Sequence, residues 1–293
     1  MNPVSHSDSN PKPSPNLDLR NVDCLELFAS IPENSVDVVI ADPPYFEIIG
    51  EKWDRQWKSE EEYLAWCDAW VRQAACVLKP GGAMYVWGTT KTDTFLRFKM
   101  GVTKNVSSLE YRNWIVWSYD WGGRTKKTWP RKHEDCLMYS KGPDLRWYPE
   151  AVEVPRKLKT NMRTGEAFER GKVPTDVWQQ NNHTTSREYC GWHPTQKPVA
   201  LLERMVRAHT LPGDVVLDPF SGSGSTAVAA LRCGRKFIGS ERDPDYHARS
   251  LVRIAELAPQ DGTQPGRNTN QEHHGEEHAG ELQHGEHTGL PIV

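Results

Sequence analysis

The sequence predicts an α/β fold, a mostly parallel central sheet flanked by helices. Three observations carry this. Val38-Val39-Ile40 is a β-branched apolar run of the kind that fills a buried strand. Val215-Val216-Leu217 is a second such run. It is followed in order by a glycine-rich turn, a helical stretch, a third run at Phe237-Ile238-Gly239, and an acid, Glu241. Between the first two runs, Glu60 to Leu78 repeats apolar residues at helical spacing: Tyr63, Leu64, Trp66, Trp70, Val71, Ala74, Val77 and Leu78. Strands that alternate with helices build open sheets of this class.

The chain has 293 residues, enough for one large domain or two small ones. It is 37% hydrophobic and 26% charged, an ordinary composition for a protein in water. No apolar run approaches the ~20 residues of a membrane span, and no charged-then-apolar leader opens the chain. No membrane partner and a cytoplasmic location are therefore expected. The six cysteines (24, 67, 76, 136, 190 and 233) include no Cys-x-x-Cys pair, so neither a zinc ribbon nor a redox pair is indicated. The net charge of −3 hides an asymmetry. From Gly122 to Lys172 there are thirteen Lys/Arg against seven Asp/Glu, and from Pro259 to Val293 one against six. A polyanion responds to the local field, so the first segment is the one suited to bind it.

In chain order, residues 1–16 are Pro/Ser/Asn-rich and are expected to form a disordered leader. A strand then ends near Asn21-Val-Asp23-Cys24, and a short helix from Leu25 to Ile31 is stopped by Pro32. Asp23 reads locally as a turn residue. The Val38–Ile40 strand follows and must end at Asp42-Pro43-Pro44, because proline cannot donate to a ladder. Trp53-Asp-Arg-Gln-Trp57 lies in a polar stretch, as a loop that covers something flat or as anchors packing the loop down. The helix from Glu60 is capped by Ser59, with Glu62 three residues on. Lys79-Pro-Gly-Gly82 ends it, and Ala83–Trp87 is a strand. A helix from Lys91 to Met100 and strands at Asn113–Tyr119 and Cys136–Ser140 follow.

Between those last strands, Arg124, Lys126, Lys127, Arg131, Lys132 and His133 surround Trp129. Basic residues interleaved with an aromatic suit a phosphate-and-base surface. Residues 143–190 read as an irregular inserted lobe anchored by Trp147, Tyr148 and Trp178. A helix from Val199 to Leu211 has Pro198 in its first turn. The Val215 strand, a helix from Thr226 to Cys233, the Phe237 strand and a helix from Asp243 to Leu257 complete the fold. The tail, 258–293, holds five histidines but nothing apolar to anchor it, so disorder is expected and no metal site is assigned.

Two stretches carry candidate chemistry. Asp42-Pro43-Pro44-Tyr45 puts a carboxylate and a ring, with Phe46 beside them, at a strand's C-terminal end, where open α/β sheets bind ligands. An Asp-capped turn is the alternative. Gly222, Gly224 and Ala227 fit G-x-G-x-x-A, and Glu241 follows about twenty residues on, as an acid holding a ribose would. An adenosine compound fits this unit. Asp218, leading into the loop, would repel a pyrophosphate and favour a cation, so S-adenosylmethionine suits the acid better than a dinucleotide.

Asp42-Pro-Pro-Tyr45, His193-Pro-Thr-Gln-Lys197-Pro198 and Asp218-Pro-Phe-Ser-Gly-Ser-Gly224, in that order, resemble the beta group of amino (N6-adenine/N4-cytosine) DNA methyltransferases. The resemblance runs from about Leu17 to Leu257. It implies a Rossmann-like methyltransferase fold, with residues 17–142 as the catalytic half, 143–190 as the target-recognition lobe and 191–257 as the cofactor half. By resemblance, Asp42, Pro43, Pro44 and Tyr45 are catalytic. Asp23, Cys24, Asp42, Thr195, Lys197, Asp218, Phe220, Ser221, Gly222, Gly224 and Glu241 bind S-adenosylmethionine. The basic loop contacts DNA. Double-stranded DNA is the implied partner, with a homodimer and a cognate restriction endonuclease as further ones, in a bacterial cytoplasm where DNA would hold the enzyme at the nucleoid. The expected reaction is methylation of adenine N6, with cytosine N4 as the alternative because both amines need the same acceptors. A dehydrogenase using Gly222 and Gly224, and an idle DNA-binding module, are readings from other classes.

Overall fold

The computed structural model describes residues 14–258, apart from 49–50, 121–124 and 181–186. Most of the expected leader, the tail from residue 259 and Arg124 lie outside the described residues. Among these there are eight strands: β1 Leu17–Arg20, β2 Val36–Ala41, β3 Leu78–Gly88, β4 Leu109–Ser118, β5 His133–Lys141, β6 Val177–Gln179, β7 Val215–Asp218 and β8 Lys236–Ser240. The six α-helices are α1 Cys24–Ala29, α2 Glu60–Val77, α3 Thr94–Asn105, α4 Val199–His209, α5 Ser225–Arg232 and α6 Pro244–Leu257. None is long and apolar enough to cross a membrane.

The strands form one sheet in the order β1-β8-β7-β2-β3-β5-β4-β6. β5 alone runs against its neighbours, β3 and β4. Every other pair is parallel. Strand alternation splits the core into two layers. Val39 and Ala41 face α1, α2 and α3, where Leu27, Phe28, Trp70 and Phe98 pack. Val38 and Ile40 face α4, α5 and α6, among them Leu202, Met205, Val228 and Ile254. Each Val, Leu, Ile, Phe or Met among them, fully buried, contributes about 1.5–3 kcal/mol.

β2 and β7 lie side by side, with Val38 opposite Val216 and Val39 opposite Leu217. From this pair the chain leaves in opposite directions, β2 to β3 on one side and β7 to β8 on the other. Such a reversal opens a crevice at the carboxyl ends of the two strands, the ligand position of open α/β sheets. Both motifs singled out in the sequence end at this crevice.

Several boundaries differ from the sequence expectation. Lys79–Gly82 is not a turn outside the sheet, because β3 begins at Leu78 and bulges. Val36 pairs with Leu78 and Val38 with Ala83, so two steps of β2 face five of β3. Gly81 takes φ +76° there, and a Cβ would sit 2.4 Å from the Asp144 carbonyl oxygen. Pro198 is the N-cap of α4, just before its first turn rather than in it, and α4 starts at Val199 as expected. Ser59 caps α2 as expected, but Glu62 accepts from Lys58 N (2.9 Å), so its side chain reaches the residue before the cap. The inserted lobe is not wholly irregular. β6 within it extends the sheet beside β4 and buries Trp178.

At the opposite end of β2, Asp37 is fully buried. It accepts from Lys79 Nζ (2.8 and 2.9 Å) and from Val215 N (2.9 Å), and pairs with Arg146 of the lobe. One carboxylate thus ties the β3 bulge, the lobe and β7 to β2.

Candidate active site

β2 delivers Asp42 to the crevice, and Pro43-Pro44 turns the chain out of the sheet. A cavity of about 400 Å³ opens there. Its wall holds Asp42, Pro43, Pro44 and Tyr45 together with Asp23, Cys24, Thr195, Lys197, Phe220, Ser221, Gly222 and Glu241. Elements separated by most of the chain thus supply one lining, which favours the ligand-edge reading of Asp42-Pro-Pro-Tyr45 over a plain turn. Asp23 is nonetheless also the N-cap of α1, accepting from Leu25 N at 2.9 Å. Its expected turn role and its place on the wall coexist.

Two expected lining residues are set behind the wall. Asp218 is 3% exposed and accepts from Phe220 N at 2.9 Å, so it shapes the turn from beneath. Burial raises its carboxyl to about 7, against hydrogen bonds from Thr226 and Phe220 N that pull it down. Gly224 is the left-handed N-cap of α5, and a Cβ there would meet Ile254 at 3.0 Å. Its smallness serves the packing of α5 on α6. Gly222, at φ +49°, does border the cavity, and its missing side chain makes room for His193.

Glu241 is held rigidly. Gly222 N donates to Oε2 (2.9 Å) and Asp243 N to Oε1 (2.8 Å). Burial raises its carboxyl despite both bonds. The acid therefore closes the glycine loop and, with a second lone pair on each oxygen, can still accept from hydroxyls.

Asp42 sits in a partly buried charge cluster around the buried Lys197. Lys197 Nζ donates to its Oδ2 at 2.7 Å, and the Tyr45 hydroxyl donates to its Oδ1 at 2.8 Å. Lys197 also lies 3.1 Å from Glu134 Oε2, outside hydrogen-bond geometry. Burial lowers the Lys197 ammonium, but Asp42 and Glu134 more than offset this and its ionisation is raised. The segment carrying Lys197 is pinned by Gln196, which accepts from Cys190 N (2.8 Å) and donates to the Glu188 carbonyl (2.7 Å). Arg253 holds that same carbonyl (2.9 Å) and the Ser223 carbonyl (2.9 Å).

The basic loop is divided in use. Lys126, Lys127 and Trp129 are exposed, Trp129 at 94%. Arg131, also exposed, donates to Thr90 O (3.0 Å) and Thr89 Oγ1 (3.3 Å), anchoring the loop to the end of β3 beside the crevice. Lys132 donates to the Asp120 carbonyl, and His133 opens β5, 3.7 Å from Asp135.

Sequence reading missed Glu134, His193 and Trp66 as site residues. The last two line the cavity, as does Trp53 of the loop expected to cover something flat, and Trp66 packs its ring 5.6 Å from Phe220. His193 was visible inside its motif. Burial pushes it down to about 4, so it stands neutral against Gly222 and 4.9 Å from the Tyr246 ring.

Known proteins match this chain. One relative is the type II methyltransferase M.BglII of Bacillus subtilis, 35% identical over 77% of this chain and 65% of its own length. Another is the DNA adenine methyltransferase YhdJ of Escherichia coli K12, 34% identical over 79% of this chain and 80% of its own. Among solved structures, the cytosine-N4-specific PvuII DNA methyltransferase superposes with a TM-score of 0.63 at 20% identity, covering 82% of this chain and 90% of that one. The S-adenosylmethionine complex of M1.HpyAVI gives 0.57 at 22%, covering 81% and 98%. At these identities the two structures speak for the fold. The DNA methylase family model matches residues 36–252, both strand motifs and everything between them, and this chain belongs to the N6/N4 amino-group DNA methylases.

Proposed function

We propose that this protein transfers a methyl group from S-adenosylmethionine to N6 of an adenine extruded from a specific sequence in double-stranded DNA. The observation that carries this is the shared wall. Asp42 and Pro43, acceptors suited to an exocyclic amine, line the same cavity as the glycine loop and Glu241.

The residues present fit the methyl donor. Its sulfonium and ammonium favour an acidic cavity, and Asp23, Asp42 and Glu241 supply one, with Asp218 beneath. Ser221 Oγ is buried in the lining with no hydrogen-bond partner among the described residues, so it has a bond to give. Glu241 suits the ribose hydroxyls, Asp23 and Cys24 the adenine, and Thr195 and Lys197 the methionine end. When bound, the donor supplies an electrophilic methyl on sulfur.

An exocyclic amine is a weak nucleophile because its lone pair is delocalised into the ring. Asp42 accepts one amine N–H and the Pro43 carbonyl the other, which turns the lone pair out of conjugation and toward the methyl group. The nitrogen then displaces the thioether in line, and the amine proton leaves afterwards. Positioning and charge placement supply the rate. Extruding the base costs a few kcal/mol of stacking and pairing, and a ring stacked on it returns roughly 1–3 kcal/mol. Tyr45 is that ring, and its hydroxyl competes with the amine for Asp42 Oδ1 as the base enters. The basic loop and the lobe 143–190 select the sequence.

Asp at the first position of the motif supports adenine, as does the name of the Escherichia coli relative. The PvuII neighbour is named for cytosine N4, and the same two acceptors would serve that amine. Treating plasmid DNA with the protein and S-adenosylmethionine, then reading modified bases by single-molecule sequencing, tests the assignment. N6-methyladenine in one sequence context is expected. N4-methylcytosine would reassign the base, and unmodified DNA would refute the proposal.

A further inference from the structure

We infer that Glu134 is a positioning residue for methyl transfer, holding the Lys197 ammonium between two carboxylates so that Asp42 is fixed without losing its strength as an acceptor. This rests on the function proposed above. β5 runs antiparallel to β3, so its first residues lie at the crevice end of the sheet. Alternation then separates two neighbouring acids. Asp135 is committed to structure, accepting from Trp114 Nε1 (2.7 Å) and Thr90 Oγ1 (3.1 Å). Glu134 points to the other face, where Lys197 Nζ is 3.1 Å away.

The cluster has more negative charge than an ion pair needs. Lys197 is 6% exposed, with its Nζ 5.3 Å from the Trp87 ring centroid, and Asp42 alone would neutralise it. A second carboxylate brought into such a place adds a desolvation cost. Its return is electrostatic. An ammonium bearing on Asp42 alone would draw density from the oxygens that must accept the amine. Shared with Glu134, it leaves one net negative charge where partly positive amine hydrogens arrive. The ammonium also keeps Asp42 from rotating, which leaves Oδ1 toward Tyr45 and the base.

The test uses full-length enzyme, a duplex carrying its methylated sequence, and single-turnover methyl transfer. Dissociation constants for S-adenosylmethionine and DNA, and the melting temperature, are measured alongside. Glu134→Gln, which keeps shape and removes charge, should slow transfer by tens-fold to about 100-fold, the scale of a misplaced catalytic group. Both dissociation constants and the melting temperature should stay near wild type. Glu134→Asp should recover most of the loss. In a Lys197→Met background, where no ammonium remains to share, Glu134→Gln should have little further effect. A Glu134→Gln rate equal to wild type, a loss that tracks a lower melting temperature, or full additivity with Lys197→Met overturns this role. Wild-type enzyme that transfers no methyl group overturns the functional reading and this inference with it. A wild type that methylates beside an unimpaired Glu134→Gln overturns the role of Glu134 alone.

Discussion

In the proposed mechanism the Tyr45 hydroxyl occupies the oxygen that the amine must reach, and Tyr45→Phe isolates that competition. The ring proposed to stack on the base is retained and only the donor is lost. In the wild type the hydroxyl donates to Asp42 Oδ1 at 2.8 Å. Burial, then the Asp42 charge, pushes Tyr45 ionisation well up, so it stays a neutral donor. A hydrogen bond to a charged group contributes about 1.5–3 kcal/mol net. If base entry had to break it outright, its removal would favour the extruded state by roughly 10- to 150-fold. Each carboxylate oxygen has two acceptor sites, so hydroxyl and amine can share Oδ1 in part. The lower end, about tenfold, is therefore expected. With 2-aminopurine at the target position, Tyr45→Phe should show higher fluorescence at saturating enzyme and a lower KM for DNA. The single-turnover rate should hold or rise. An unchanged KM with a slower chemical step would refute the reasoning, because the hydroxyl would then be orienting Asp42 rather than competing for it.

Three further outcomes follow from the same geometry. Asp42→Ala should abolish methyl transfer while S-adenosylmethionine still raises the melting temperature, by less than in wild type because one of the wall's acids is lost while the glycine loop and Glu241 stay in place; normal turnover would remove Asp42 from the mechanism. Asp37→Asn breaks a buried ionic junction, worth about 3–5 kcal/mol, and because Lys79 and Arg146 are partly exposed the low end applies. At roughly 2–4 °C per kcal/mol for a chain of this size, the melting temperature should fall by roughly 6–12 °C. Asp218, raised to about 7 by burial, binds its proton more tightly folded than unfolded. It therefore costs no stability below the ordinary carboxylate range, and an increasing amount as pH rises to about 7. Urea midpoints should show a smaller loss between pH 5 and pH 8 in Asp218→Asn than in wild type, and equal losses would refute the linkage.

What could be read from the sequence was whatever had a local period or a punctuating residue. Val38–Ile40 stopped by Pro43-Pro44, the glycine turn before α5, and the acid after β8 all declare themselves within a few residues. What escaped lacks such a signal. β6 has only three residues, too few to show alternation, and is a strand only because Val116, Trp117 and Ser118 lie beside it. Glu134, partly buried, and Asp37, fully buried, are acids whose partners lie 63 and up to 178 residues away, so no spacing marks them. Arg131 declares its charge in the sequence, whereas its bond to the Thr90 carbonyl is not legible there. Asp218 and Gly224 sit inside a recognisable motif, yet their places behind the wall are set by α6 and by the turn itself.

The sheet also explains how one chain can take two partners of opposite charge. The cavity is acidic, with Asp23, Asp42 and Glu241 on its wall and Asp218 beneath. The one buried ammonium at Asp42, Lys197, is already matched by two carboxylates. The basic loop stands outside, and Arg131 pins it to the end of β3 on the same edge. A phosphate is drawn to Lys126 and Lys127 but repelled by the interior, while a cationic donor is drawn inward. Only an uncharged part of a nucleic acid can then move from rim to cavity without electrostatic penalty, and that part is a base. The field thus supports the base extrusion proposed above over deeper seating of the backbone. Tyr45, the ring proposed to stack on that base, lies between the cavity and the apolar pocket of Tyr63, Phe95 and Phe98.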